Sequence, residues 1–71
     1  MSAPLTIEQA QAAARVLQGE LGLGWKVWAT TYPDGPRLVA QKWPPRDGDH
    51  WVVEPTLEAA RRQIAARENP A

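Results

Sequence analysis

The sequence predicts an α+β fold with the order α-β-β-β-α, in which two helices pack on one face of a three-stranded antiparallel sheet. Three observations predict it. Apolar residues recur at helical spacing near both ends of the chain. The middle stretch, residues 25–51, is rich in β-formers and holds all four tryptophans and the only tyrosine. Turn residues interrupt the middle of the chain twice, which makes three strands.

The first helix is predicted to begin at Thr6, whose hydroxyl can cap it while the Gln9 side chain reaches back to the amide of the cap. Gly22 is a suitable stop at the other end. Small residues in the apolar stripe would let the helix lie close to the sheet. The stripe comprises Ile7, Ala10, Ala14, Leu17 and Leu21, widened by Ala13 and Val16.

Two turns divide the strands. In the first, Pro33–Asp34–Gly35–Pro36, we expect Gly35 to take the left-handed conformation and to close a hairpin with a bulge. Pro44 and Pro45 end the second strand because they lack amide donors, and residues 46–49 make the second turn. The predicted strands are residues 25–32, 37–43 and 50–54.

The second helix is predicted to begin at Thr56, a favourable N-cap residue. Its apolar stripe is Leu57, Ala60 and Ile64, backed by Ala65. We interpret residues 1–71 as a single domain with loose termini at residues 1–4 and 69–71.

Composition excludes several classes of protein. The absence of cysteine excludes disulfides and thiolate chemistry, and one histidine cannot build a zinc site alone, so no cofactor or metal is expected. Eight basic and eight acidic residues balance to zero net charge, which argues against a dedicated nucleic-acid binder. The sequence has no transmembrane or secretory pattern, so we expect no membrane contact and a cytoplasmic location.

Strand alternation divides the sheet into two faces. The more apolar set should lie beneath the helices, which leaves the other open to solvent. The set predicted beneath the helices is Trp25, Val27, Ala29, Leu38, Ala40, Trp51 and Val53. The set predicted on the open face is Lys26, Trp28, Thr30, Tyr32, Arg37, Val39, Gln41, Trp43, His50, Val52 and Glu54.

The open face is the candidate binding site, because large rigid aromatic side chains dominate protein-binding hot spots. Its predicted binding residues are Trp28, Tyr32, Trp43, Lys26, Arg37, Gln41 and His50. In the alternative interpretation, Trp28 and Trp43 form a cross-strand pair that stiffens the hairpin, or a loop covers them. Trp25 and Trp51 are expected in the core.

No catalytic constellation stands out. Asp47, Asp49 and His50 could form a weak metal or acid–base cluster, but their spacing is ordinary turn composition and no further ligand is supplied. Ser2, the only serine, lies at the predicted loose terminus. We therefore expect a protein that is not an enzyme.

Two resemblances bear on nucleic acids. The α-β-β-β-α order resembles the double-stranded-RNA-binding fold, but Thr56–Leu57–Glu58–Ala59 stands where that family carries a lysine-rich phosphate clamp. Residues 25–67 are similar in outline to the three-strand-plus-helix arm domains of phage-type integrases, on the same four-residue helix start. In that family the sheet face meets DNA, which implies contacts by Lys26, Trp28, Arg37 and Gln41.

The sequence thus favours a small non-catalytic interaction module, such as an accessory, adaptor or inhibitor protein from a bacterium or phage. We expect it to bind a protein partner, or a second copy of itself as a homodimer, through the aromatic face. The alternative is a nucleic-acid-binding domain that uses the same face together with Arg61 and Arg62 of the second helix.

Overall fold

The first helix, α1, spans Ile7–Leu21 in the computed structural model, which describes residues 5–44 and 51–68. The predicted capping box is present: the Gln9 amide donates to Thr6 Oγ1 at 3.1 Å, and the Thr6 amide donates to Gln9 Oε1 at 3.0 Å. Gly22 ends the helix with φ = 68°, a left-handed value that glycine adopts without strain. Ala10, Ala14 and Leu17 are buried as expected, whereas Val16 faces solvent and is not part of the core.

A β-hairpin follows, after a 3₁₀ turn at Gly22–Gly24. Strand β1 spans Trp25–Tyr32 and β2 spans Gly35–Lys42. Only Pro33 and Asp34 separate the paired residues Tyr32 and Gly35, so the turn is shorter than predicted. Gly35 has the expected positive φ, 121°. The residues of β1 and β2 nevertheless pair one to one from Tyr32–Gly35 to Trp25–Lys42, with no extra residue in either strand, so the predicted bulge is wrong.

Strand β3, Trp51–Glu54, pairs antiparallel with β2, so β2 is central in the order β1-β2-β3. Val52 pairs with Ala40 and Val53 pairs with Val39. Val52 and Glu54 are therefore on the helix side, while Trp51 and Val53 are on the open side. The sequence predicts Trp51 and Val53 beneath the helices, so the predicted alternation of β3 is wrong by one residue.

The physical reason lies in the thin core. Alanines from both helices and from β2 (Ala10, Ala14, Ala60 and Ala40) bring the helices close to the sheet. A valine opposite Ala40 fills that narrow space, whereas an indole there would hold the helices away from the sheet. Val52 is 2% exposed and Trp51 is 52% exposed.

The second helix, α2, spans Leu57–Glu68. Thr56 caps it as predicted, since its Oγ1 accepts a 3.2 Å hydrogen bond from the Ala59 amide. Ala60 and Ile64 are buried, but Ala65 is exposed and does not support the stripe. The predicted loose termini, Pro45 and the turn at residues 46–49 lie outside the described residues, as does His50 at the predicted start of the third strand.

Both helices pack on the same side of the sheet, as predicted. One hydrophobic cluster unites residues from α1, α2 and all three strands, with Trp25, Leu17 and Leu38 among its largest members. The α-β-β-β-α order of the prediction is confirmed. The opposite side of the sheet is left without a helix over it among the described residues.

Candidate protein-interaction surface

The open face of the sheet carries an apolar centre. The centre consists of Trp28, Val39, Val53 and Trp51. Trp28 and Val53 are the direct neighbours of Val39 on the two flanking strands. Val39 is only 2% exposed, although it faces away from the helices and lies outside the main core cluster. The open face therefore has a small hydrophobic cluster of its own.

The two tryptophans of this centre form an edge-to-face pair. The rings of Trp28 and Trp51 have centroids 5.6 Å apart and an interplanar angle of 90°. This arrangement is favoured by the ring quadrupoles and holds both indoles in place. Trp28 is nevertheless 36% exposed and Trp51 52% exposed. The two rings are in contact and still accessible, and this pair differs from the Trp28–Trp43 pair considered from the sequence.

Trp43 lies at one end of the face, directly after β2, where its amide donates to the Gly24 carbonyl at 3.0 Å. Lys26 Nζ lies 3.8 Å from the centroid of the Trp43 ring, a cation–π contact. Leu23, almost fully exposed, shares a shallow pocket with these two side chains. An apolar corner with a positive charge over it therefore borders the face.

Tyr32 and Arg37 lie toward the hairpin end of the face. Tyr32 is exposed beside the turn, and Arg37 pairs with Thr30 across the ladder. An Arg37 guanidinium nitrogen donates to the Pro36 carbonyl at 2.9 Å, which positions the cation next to the turn. Among the described residues of β1–β3 on this face, Lys26 and Arg37 are the charged ones, and neither is opposed by a carboxylate on the face.

Six of the seven predicted binding residues thus share one surface: Trp28, Tyr32, Trp43, Lys26, Arg37 and Gln41. The seventh, His50, lies outside the described residues, as do Asp47 and Asp49. Trp51 was missed as a surface residue. The sequence offered an ambiguous signal for it, because Trp51–Val52–Val53 is apolar on both faces of the strand.

Trp25 is the buried tryptophan, on the opposite side of the sheet. Its indole N–H donates to Glu68 Oε1 at 2.5 Å, and Lys42 Nζ donates to the same oxygen at 3.0 Å. These two bonds, the indole bond first, hold the pKa of the Glu68 carboxyl below its usual value. Trp25 therefore joins the end of α2 to the start of the sheet.

The arginines of α2 lie on the helix side. Arg61 donates hydrogen bonds from Nε and Nη2 to the two oxygens of the Glu20 carboxylate on α1. These hydrogen bonds lower the pKa of Glu20 and raise the pKa of Arg61. Arg62 is exposed on the same helix. Because α2 packs against one side of the sheet and the aromatic centre is on the other, these arginines do not extend the aromatic face.

Among residues 5–44 and 51–68, no three metal-ligating side chains come together. Within that same part of the chain, no helix has the length and apolar character needed to cross a membrane. Comparison with family models, with curated proteins and with solved structures finds no match to this chain.

Proposed function

We propose that this protein is a non-catalytic interaction module that binds a partner protein through the open face of its sheet, acting as an accessory, adaptor or inhibitor protein. The observation that carries the proposal is the edge-to-face Trp28–Trp51 pair, which is accessible to solvent on the same face as buried Val39. A rigid sheet that presents tryptophans loses little side-chain entropy on binding, which is the character of a hot spot.

The charges of the face indicate the chemistry of the partner. Lys26 and Arg37 flank the apolar centre, and the described face contains no carboxylate. A partner surface with an apolar patch and an acidic rim would complement it. A second copy placed face to face would instead meet the same cations, so this face suits a different protein better than its own copy.

A nucleic-acid strand is the second candidate, because bases stack on exposed aromatic side chains of a sheet that also carries cations. Two observations weigh against it. The net charge is zero, and Arg61 is bound to Glu20 on the opposite side of the molecule. Nucleic-acid binding would therefore depend on the face alone and would fall steeply with salt.

The test is quantitative binding with variants of both sides of the molecule. A binder selected with the wild-type protein is purified and titrated by calorimetry against Trp28→Ala, Trp43→Ala and Trp51→Ala. Truncation of a hot-spot residue costs about 2 kcal/mol or more, so at least one variant should bind about 30-fold more weakly. Val16→Ala and Arg62→Ala, exposed positions on the helix side, are the matched controls and should bind normally.

Two results would contradict the proposal. In the first, the tryptophan variants bind as the wild type does while a helix-side control loses affinity. In the second, the selected binder is displaced by single-stranded nucleic acid at low salt and released by moderate salt, which would favour the second candidate.

A further inference from the structure

The outer edge of β1 is half occupied by one side chain. Gln18 Nε2 donates to the Trp25 carbonyl at 2.8 Å, and Gln18 Oε1 accepts from the Val27 amide at 2.8 Å. Both backbone groups therefore point away from β2. Gly24, an even-numbered residue, instead directs its carbonyl toward the β2 side, where it accepts from the Trp43 amide. The amides and carbonyls of Ala29 and Thr31 must then point outward too, since alternate residues of an antiparallel strand face the same neighbour.

Among the described residues, nothing pairs with the second half of this edge. Within residues 5–44 and 51–68, no hydrogen bond from another element reaches the outward groups of Ala29 or Thr31. A groove of about 510 Å³ runs beside it between α1 and β1, and Arg15 is the charged residue that lines it. Unpaired edge groups of this kind are a template for strand addition.

We propose that two copies of this chain associate by antiparallel pairing of their β1 edges about a two-fold axis at Thr30. Ala29 of each copy then lies opposite Thr31 of the second copy, which makes four backbone hydrogen bonds across the axis. Both ends of the pairing have a natural limit. Val27 has its amide bound by Gln18, and the residue opposite it, Pro33 of the second copy, has no amide to donate.

The side chains support this register on the open face. Trp28 lies opposite Tyr32 of the second copy, and the pair occurs twice because of the symmetry. Thr30 lies opposite itself at the axis. These are the non-hydrogen-bonded positions of the new ladder, where side chains approach most closely, and aromatic and Thr–Thr pairs are both favourable there.

Self-complementarity favours a second copy as the occupant, because the same residues, Trp28 to Tyr32, supply both sides of the pairing. The axis is perpendicular to the sheet, so the two open faces lie on the same side and form one surface. Strand pairing brings Trp28 and Tyr32 into lateral contact across the axis but places nothing over the open face, and it does not depend on the proposal for partner binding.

The interface is small, which predicts a weak dimer whose population rises with protein concentration. A charge-swap experiment tests the two-fold axis. Thr30→Glu and Thr30→Lys each place like charges opposite each other in a homodimer, but opposite charges in a mixed dimer. Sedimentation equilibrium of the full chain should show that the wild type dimerises. The association constant should fall at least about tenfold in each variant and should recover in the equimolar mixture.

Thr31→Pro is a second variant that leaves the β1–β2 ladder intact, because the amide it removes points outward. It should also weaken dimerisation by at least about tenfold, since two of the four bonds disappear. Circular dichroism verifies the fold of every variant. A wild type that stays monomeric at millimolar concentration would overturn the proposal, as would an equimolar mixture that associates no better than its components, or unchanged dimerisation in Thr31→Pro.

Discussion

The register of β3 can be tested by making the same substitution at two adjacent residues. Valine and threonine have nearly the same shape and similar strand propensity, so Val→Thr chiefly exchanges a methyl group for a hydroxyl. Val52 is 2% exposed beneath the helices, and Val53 is 40% exposed on the open face. The two variants therefore differ mainly in where the hydroxyl is placed.

Burying a hydroxyl without a partner costs about 1–3 kcal/mol. Taking about 2 kcal/mol for Val52→Thr, and about 4–8 °C per kcal/mol for a domain of this size, the melting temperature should fall by about 8–16 °C. Val53→Thr should change the free energy of unfolding by no more than about 0.5 kcal/mol. Thermal and chemical denaturation followed by circular dichroism measure the melting temperature and the free energy of unfolding of both variants.

The refuting result is the reverse order. If Val53→Thr is clearly the more destabilising variant, then Trp51 and Val53 lie beneath the helices, as the alternation of the sequence first suggested. The aromatic centre of the open face would then lose two of its four members, and the case for a binding surface would weaken with it.

Three further predictions follow from the contacts outside β3. Gln18→Ala removes three hydrogen bonds, to Trp25, Val27 and Gly22, and should cost about 3 kcal/mol at a net value of roughly 1 kcal/mol each, with faster hydrogen exchange at the Val27 amide. Gln11→Ala, in the same groove, is the control and should be neutral in both measurements. Because the folded-state pKa of Glu68 lies below its ordinary value of 4.5, its stabilisation is complete above that pH and is lost as the pH falls through the folded pKa. Glu68→Gln should therefore flatten the acid side of the stability–pH profile, and an unchanged profile would contradict the assignment of the Trp25–Glu68 bond. Lys26→Gln removes the cation over Trp43 and should lower the free energy of unfolding by about 0.5–1 kcal/mol in a denaturant titration. If the double variant, Lys26→Gln with Trp43→Ala, loses only as much stability as the two single variants added together, the two side chains do not interact.

Local signals made much of the fold predictable. The Thr6–Gln9 capping box, the Gly22 stop and the Thr56 cap each depend on residues within one helical turn, and all three are present. The hairpin was also predictable from its turn residues. Its alternation placed Trp25 beneath the helices and Trp28 on the open face, in agreement with the structure.

Long-range geometry was less predictable. The connection between β2 and β3 does not fix a register, and Trp51–Val52–Val53 is apolar at every position, so alternation alone could not choose the buried residue. Gln18 gave no signal at all, because its bonds to the edge of β1 depend on where α1 crosses the sheet. The same holds for Arg61, which contacts Glu20 only because the two helices lie side by side.

We propose that Trp28, Trp43 and Trp51 form an accessible binding surface, whereas Trp25 belongs to the core. The most direct test is ¹⁹F NMR of the protein with fluorinated tryptophan, assigned by single Trp→Phe variants. A soluble paramagnetic agent should broaden three of the four resonances in the free protein and spare Trp25, and a bound partner protein should shift or protect the same three. Protection of Trp51 in the free protein, or a partner that perturbs none of the three resonances, would show that these tryptophans do not form the binding surface.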